Sequence, residues 1–162
     1  MDYIEGRTRS DGCVFCELAS LQPSEMRAGL VLLATPLVFV CLNRYPFTTS
    51  HLLVMPRRHV ADLTELRDDE HAALFDMVRA STVRLRKATN AEALNVGINL
   101  GKAAGAGIAE HLHVHIVPRW SGDTNFMPVI ADVRVMPEYL DQAWARLYAC
   151  FADVPGERAP AP

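Results

Sequence analysis

The sequence lacks several features that would assign it to a broad class of protein. Its 162 residues contain no apolar run of the length needed to cross a bilayer, about 18 residues. The opening segment, MDYIEGRTRSDG, has no apolar stretch of the kind found in signal peptides. Positive charge is not in excess, because 16 Lys and Arg stand against 19 Asp and Glu. We therefore expect a cytoplasmic protein that has neither a membrane nor a nucleic acid as a partner.

Cysteine is also scarce, and there is no internal repeat. A disulfide framework is not expected without a secretory signal, so the CVFC pair, Cys13 and Cys16, needs another explanation. Cys41 and Cys150 lie inside apolar patterns and are predicted to be core residues. The length fits one domain, which we place at residues 1–152. The remaining residues 153–162 are rich in Pro and Ala without apolar periodicity, and are predicted to be disordered.

Apolar runs predict a sheet and two helices. Between residues 68 and 88 the apolar spacing becomes three or four, which indicates one long helix; its buried stripe would be Leu74, Met77, Val78, Ser81 and Leu85. A weaker helical pattern occupies the C-terminal part of the domain, at 137–151. Short runs rich in Val, Leu and Ile predict five strands, at 30–35, 37–43, 51–56, 94–100 and 111–118. This order is typical of an α+β fold with an antiparallel sheet.

The stretch HLHVHIV, residues 111–117, holds three of the six histidines. On a strand, residues i, i+2 and i+4 share a face, so His111, His113 and His115 would line one side. Three interpretations remain open. The face is simply exposed, or it binds a metal, although i and i+4 are too far apart to hold one ion easily. Alternatively, one neutral imidazole attacks phosphorus while an acceptor fixes its other nitrogen.

A glycine-rich loop precedes these histidines. Gly101, Gly105 and Gly107 would let backbone N–H groups approach a phosphate, and Lys102 and Arg119 add positive charge on either side. The loop is not a Walker A loop, because no GK[ST] ends it. A plain hairpin connection with two solvated cations is the alternative interpretation.

HLHVHIV satisfies the His-φ-His-φ-His-φ-φ signature at every position, where φ is apolar, and the chain thereby resembles the histidine triad superfamily. The resemblance extends from CVFC through SHLLVMPRRH (50–59) to residues 95–126. It implies a half-barrel antiparallel sheet with a long helix, and a homodimer. The extension PRWSGDTNF is similar to the branch of diadenosine polyphosphate hydrolases and diadenosine tetraphosphate phosphorylases. The resemblance therefore implies an enzyme that acts on the α-phosphate of dinucleoside polyphosphates, accompanied by a divalent cation such as Mg²⁺.

Carried over by motif position, the resemblance makes His113 the nucleophile of a covalent nucleotidyl-histidine intermediate. His115 would orient it and, with His51, contact the phosphate, while Asn43 would hold the ribose hydroxyls. Further nucleotide contacts are expected from Asn99, Gly105, Ala106 and Gly107, and from Phe15 and Leu42, which either wall an adenine pocket or belong to the core. Two of these positions depart from the pattern: many relatives have Gln at position 106, and the related phosphorylases have Ser at position 107.

The CVFC segment fits two arms of a tetrahedral zinc site, because a two-residue gap lets both thiolates reach one ion at about 2.3 Å. Two buried thiols without metal are the alternative. Zinc-containing relatives complete the site with a histidine of the PRRH-type turn and the first histidine of the triad. The resemblance thus implies a structural zinc held by Cys13, Cys16, His59 and His111.

Four further polar or aromatic residues have other expected roles. His71 is predicted to lie on a solvated helix face, and Asp123 and Asn125 to make hydrogen bonds within a turn. Trp120 would either pack at a subunit interface or stack near the ligand.

Two other functions remain open at this level. A purine nucleoside phosphoramidase would cleave a P–N bond with the same residues. A non-catalytic protein that senses nucleotides or acts as an adaptor would use the same site only to bind nucleotides.

Overall fold

The computed structural model describes residues 12–123, 136 and 138–161, and within them the chain forms a five-stranded antiparallel sheet with helices. The strands are β1 (Val31–Ala34), β2 (Val38–Leu42), β3 (Leu52–Pro56), β4 (Ala93–Ile98) and β5 (Val114–Arg119). They follow the order β1-β2-β3-β5-β4 in an open sheet. The helices are α1 (Val14–Ala19), α2 (Asp68–Thr89) and α3 (Leu140–Cys150). The predicted α+β class and the antiparallel sheet are confirmed.

The core lies between the sheet and the two longer helices. Every residue of β1, β2 and β3 is buried, which is why these strands are continuous apolar runs in the sequence. The predicted stripe of α2 is buried as expected: Leu74, Met77, Val78, Ser81 and Leu85. On α3, the buried Trp144 donates its Nε1–H to the carbonyl of Val31 at 3.1 Å, which fixes this helix to β1. None of the helices described is long and apolar enough to span a membrane.

The N-terminal end of α2 is fixed by a buried carboxylate. Glu70 accepts two hydrogen bonds from the Arg58 guanidinium, at 2.8 and 2.6 Å, and a third from the backbone N–H of Arg67 at 3.0 Å. A buried charge is costly unless it is paired in this way. The pair therefore joins the start of α2 to the turn that follows β3.

Two elements differ from the sequence prediction. Strand β5 starts at Val114, three residues later than predicted, so His111 and His113 precede it and only His115 lies within it. The reason is that the Leu112 N–H donates to the Val60 carbonyl at 2.6 Å, outside the ladder with β3. Helix α1 was not predicted at all, because its six residues are too short for an apolar period to be recognised.

The prediction of a disordered C-terminal segment is wrong for residues 153–161. Ala34 and Glu157 exchange two backbone hydrogen bonds of 2.8 and 2.7 Å, and the Tyr148 hydroxyl donates to the Ala159 carbonyl at 2.7 Å. The outer edge of β1 offers backbone groups that β2 does not use, and the segment satisfies some of them. Residues 1–11 and 162 lie outside the described part, and the domain boundary at 152 stays a prediction.

The buried carboxylate gives a prediction for stability. Hydrogen bonds from Arg58 lower the pKa of Glu70 from 4.5 to about 2, so its contribution is present above pH 4.5 and is lost as the pH falls toward 2. We expect Glu70→Gln to lower the free energy of unfolding by about 1.5–3 kcal/mol at pH 7. The difference from the wild type should shrink below pH 4.5. Urea denaturation between pH 7 and pH 2 measures both effects.

A matched control is Glu65→Gln, which removes an exposed carboxylate close to the same arginine. It should leave the free energy of unfolding nearly unchanged. Equal losses in the two variants would contradict the importance of the buried pair.

Candidate active site

Two cysteines and two histidines from three parts of the chain come together at one end of the sheet. Cys13 and Cys16 lie at the start of α1, His59 follows β3, and His111 precedes β5. The Nδ1 atom of His111 lies 3.4 Å from the Cys13 Sγ and 3.6 Å from the Cys16 Sγ, and the His59 Nδ1 lies 3.3 Å from the Cys16 Sγ. All four potential ligand atoms lie within 4.8 Å of one another. Tetrahedral Zn²⁺ with bonds of about 2.0–2.3 Å would separate its ligands by about 3.3–3.8 Å. The predicted set of residues therefore fits a zinc ion.

His111 connects this cluster to the middle histidine of the motif. Its Nε2–H donates to the carbonyl of Pro56 at 2.9 Å, so its Nδ1 carries a lone pair on the side of the thiols. Its own backbone carbonyl accepts a hydrogen bond from the Nδ1 of His113 at 2.8 Å. One residue thus contributes its ring to the cluster and its backbone to His113.

That second hydrogen bond decides the tautomer of His113. A carbonyl oxygen only accepts, so the proton is on Nδ1 and the lone pair is on Nε2. The ring is 5% exposed and lies 5.1 Å from the ring of Phe15, centroid to centroid. Burial lowers the pKa of His113 below its ordinary value, although the bond to the His111 carbonyl opposes this shift. The imidazole is therefore neutral at pH 7 and has the electron pair that a nucleophile needs.

The other two predicted catalytic histidines, His51 and His115, form a hydrogen-bonded pair. The Nδ1 of His51 accepts from the backbone N–H of Phe47 at 3.2 Å and lies 3.3 Å from the Asn43 Nδ2. The His51 proton is therefore on Nε2, which donates to the His115 Nδ1 at 3.0 Å. His115 in turn carries its proton on Nε2, a buried atom without a hydrogen-bond partner in the described part of the chain. A buried donor of this kind is the group expected to meet a phosphate oxygen.

Burial also keeps this pair uncharged. It lowers the pKa of His51 to about 3, helped by the positive charge that His115 and His113 would carry. It lowers the pKa of His115 to about 4, helped by His113. Both rings are therefore neutral hydrogen-bonding groups over the physiological pH range.

Phe47 was not identified from the sequence, yet its ring contacts both members of the pair. It stacks on His51 with a centroid distance of 5.0 Å and on His115 at 6.0 Å. Its backbone N–H is also the donor that sets the tautomer of His51. Nothing in the residues YPF predicts this role, because it depends on the path of the chain between β2 and β3.

The residues expected to bind the nucleotide fall into two groups. Phe15 and Leu42 are buried in the core, and Asn43 uses its Oδ1 to accept from the Tyr45 N–H at 3.0 Å. The remaining residues are in the loop between β4 and β5, where Gly101 and Gly105 have left-handed φ angles of 81° and 90° that favour glycine. The loop residues with expected contacts are Asn99, Gly105, Ala106 and Gly107. This loop lies directly before the histidine segment. The contacts of these four loop residues with a nucleotide stay predictions.

The other predicted residues have ordinary structural roles. His71 is exposed on α2, and Asp123 accepts from Arg119 and from the Trp120 N–H within the turn after β5. The Trp120 indole donates to the Asn90 carbonyl at 3.3 Å. Cys41 is buried in the core as predicted, whereas Cys150 is only partly buried. Asn125 lies outside the described residues.

Sequence comparison identifies the family. The profile of the HIT domain matches residues 26–122, which is more than half of the chain. The chain belongs to the HIT family.

Curated relatives of this HIT protein include enzymes. An AP-4-A phosphorylase of Mycobacterium tuberculosis is 41% identical over 126 residues, which are 78% of this chain and 63% of that protein. A bifunctional bis(5'-adenosyl)-triphosphatase/adenylylsulfatase of Arabidopsis thaliana is 34% identical over 108 residues, which are 67% of this chain and 59% of that protein. The chain therefore spans less than two thirds of the length of either relative.

A solved structure of similar length supports the fold. A Zn-bound histidine triad family protein from Mycobacterium smegmatis aligns with a TM-score of 0.68 and 27% sequence identity. The alignment covers 90% of this chain and 97% of that one. The HIT fold therefore accounts for most of the chain.

The tautomers of this HIT protein can be measured directly. Long-range ¹H–¹⁵N NMR correlations of the imidazoles should place the proton on Nδ1 in His113 and on Nε2 in His51 and His115. Because the pKa values of His51 and His115 are about 3 and about 4, the ¹⁵N chemical shifts of their rings should not change between pH 8 and pH 5. A proton on the Nδ1 of His115 would contradict the direction of the hydrogen bonds.

Proposed function

We propose that this HIT protein transfers a nucleotidyl group from a dinucleoside polyphosphate, attacking the α-phosphate with His113. The observation that carries the proposal is the hydrogen bond from the His113 Nδ1 to the His111 carbonyl, which leaves the Nε2 lone pair available. The names of the relatives, AP-4-A phosphorylase and bis(5'-adenosyl)-triphosphatase, support the substrate class. Because the chain covers only part of those proteins, its own activity needs to be measured.

The reaction follows from the state of His113. Its Nε2 forms a bond to the α-phosphorus, and the bond from phosphorus to the bridging oxygen breaks, so that the leaving nucleoside polyphosphate takes the electron pair. Water or inorganic phosphate then attacks the same phosphorus and displaces the Nε2, which regains its lone pair. When water is the acceptor, it releases one proton to solvent. Positioning and charge stabilisation dominate the barrier to phosphoryl-type transfer, so a neutral, fixed imidazole suits this chemistry.

The pair of His51 and His115 would act on the phosphate as a neutral donor. The Nε2–H of His115 is a buried donor without a hydrogen-bond partner among the described residues, and His51 fixes its tautomer through the bond to the Nδ1. A donor that is already oriented costs no reorganisation when negative charge develops on the phosphate oxygens. Backbone N–H groups of the loop between β4 and β5 would add further donors. Asn43 would hold the ribose, although its amide also supports His51.

We also propose that Cys13, Cys16, His59 and His111 hold one Zn²⁺. The distances among their ligand atoms support this set, as does the zinc in the Mycobacterium smegmatis relative. Bound there, the ion would supply a structural crosslink between α1, the turn after β3 and the segment before β5. Four protein ligands leave no open position for catalysis.

A homodimer and a cytoplasmic location complete the proposal. Among the described strands β4 lies at an edge of the sheet, and Val96 on it and Leu100 after it are exposed, at 48% and 40%. Exposed apolar side chains beside a sheet edge are a common feature of subunit interfaces.

A divalent cation such as Mg²⁺ would accompany the polyphosphate.

The nucleophile is tested with His113→Ala. We expect turnover of diadenosine tetraphosphate to fall more than about 10³-fold, because the attacking group is lost. Nucleotide affinity, measured by calorimetry, should remain. Assays with and without phosphate and Mg²⁺ identify the reaction, since ATP plus AMP indicates hydrolysis and ADP plus ATP indicates phosphorolysis. His71→Ala, on the exposed face of α2, is the control that should keep full activity.

Other outcomes would replace the proposal. Cleavage of an adenosine phosphoramidate without cleavage of diadenosine tetraphosphate would favour the phosphoramidase. Nucleotide binding with no turnover of either substrate would favour the sensor.

The zinc site is tested by metal analysis of the purified protein. We expect about one zinc per chain, lost in Cys13→Ala because a thiolate ligand is removed. Cys150→Ala removes a cysteine outside the cluster and should keep the metal. Protein that contains no zinc after expression in zinc-supplemented medium would contradict the site.

A further inference from the structure

Ser50 has a strained backbone directly before His51. Its φ angle is 62°, in the left-handed region that side-chain-bearing residues rarely adopt, and it is 1% exposed. Such a conformation persists only when its surroundings hold it, and it often marks a functional position.

Side chains from the C-terminal part of the chain hold this residue and its neighbour. An Arg146 NH2 group on α3 donates to the Ser50 Oγ at 2.7 Å and to the Glu138 Oε2 at 2.7 Å. The same Glu138 oxygen accepts from the Thr49 Oγ1 at 2.7 Å. Consecutive residues of the segment before β3 are thus tied to Arg146 through short, charge-assisted hydrogen bonds.

The next residue, His51, depends on the path of this segment. Its Nδ1 accepts from the Phe47 N–H at 3.2 Å, four residues earlier, so the chain between them must turn back tightly. A change of φ at Ser50 would move the His51 ring away from the Phe47 N–H. The bond from the His51 Nε2 to the His115 Nδ1, 3.0 Å long, would then be weakened as well.

We infer that Arg146 is a positioning residue: by holding Ser50 in its left-handed conformation, it keeps His51 bonded to His115. The side-chain hydrogen bonds of Arg146 go to Ser50 and Glu138 and not to either histidine. Its side chain is 39% exposed. The inference rests on the proposed function only where activity is the readout.

Kinetics provides the first test, with Arg146→Met. If Arg146 acts through the histidine pair, kcat for diadenosine tetraphosphate should fall about tenfold while KM changes less than about threefold, because the lost interaction matters mainly in the transition state. Arg146→Lys should recover part of kcat, since an ammonium group can also donate to Ser50 and Glu138.

A second substitution separates strain from simple loss of a contact. Glycine adopts positive φ without a steric cost, so Ser50→Gly needs no arginine to hold its backbone. In the Arg146→Met background, Ser50→Gly should restore several-fold of the lost kcat. Ser50→Ala removes the same hydroxyl but keeps the Cβ, and it should restore none. Equal effects of the two substitutions would overturn the inference.

The control removes a comparable arginine elsewhere. Arg84 on α2 donates to Asp153 in the C-terminal segment at 2.7 Å, away from the histidines. Arg84→Met should lower the thermal midpoint while leaving kcat unchanged. A fall of kcat in Arg84→Met equal to that in Arg146→Met would assign both losses to global stability and overturn the positioning role.

A readout without substrate makes the inference independent of the proposed function. The proton on the His51 Nε2 should exchange slowly with solvent in the wild type and in Arg84→Met, rapidly in Arg146→Met, and slowly again in Arg146→Met with Ser50→Gly. Slow exchange in Arg146→Met would overturn the inference. If the wild type turns over no substrate while the exchange pattern holds, the proposed function fails and the positioning role stands.

Discussion

The chemistry of the site depends on one hydrogen bond, from the Nδ1 of His113 to the carbonyl of His111, 2.8 Å long. Without it, the proton of a neutral imidazole is free to occupy either nitrogen, and the reactive lone pair has no fixed position. The acceptor belongs to a residue whose own ring lies in the cysteine and histidine cluster. Whatever holds that ring therefore also holds the orientation of His113. In the proposed site, a structural metal would therefore orient the nucleophile without binding to it.

Backbone groups set the protonation pattern of three histidine rings directly and of a fourth, His115, through His51. Carbonyl oxygens accept from His111 and His113, and the N–H of Phe47 donates to His51, which in turn fixes His115. These partners are available only when the turns after β2, after β3 and before β5 have their folded paths. Folding therefore determines which nitrogen of each ring is a donor, and burial keeps the rings neutral. In this site, the folded structure therefore determines the acid–base state of each histidine ring.

The sequence predicts the features that depend on apolar periodicity and on short motifs. It does not predict the features that depend on contacts with backbone atoms far away in the chain. The buried stripe of α2 can be predicted because its five apolar or small residues lie on one face over about three turns of the helix. The cysteine and histidine cluster and the histidines His51, His113 and His115 were predicted from short motifs and the family resemblance. The start of β5, by contrast, is set by the Val60 carbonyl, and the packing of residues 153–161 is set by the unused edge of β1. Phe47 and Arg146 belong to no motif, and SHLLVMPRRH does not reveal the left-handed φ of Ser50. The roles of these residues arise from a tight turn and from a helix almost 100 residues away.

The position of the C-terminal segment has a consequence for self-association. Glu157 pairs with Ala34 on the outer side of β1, which leaves β4, within the described residues, as the long edge open to another strand. A sheet that is open at both ends can add copies without limit, whereas one with a single open end can join one other copy and then stops. The segment around Glu157 thus covers part of the outer edge of β1 and would restrict strand addition by further copies to the β4 side of the sheet.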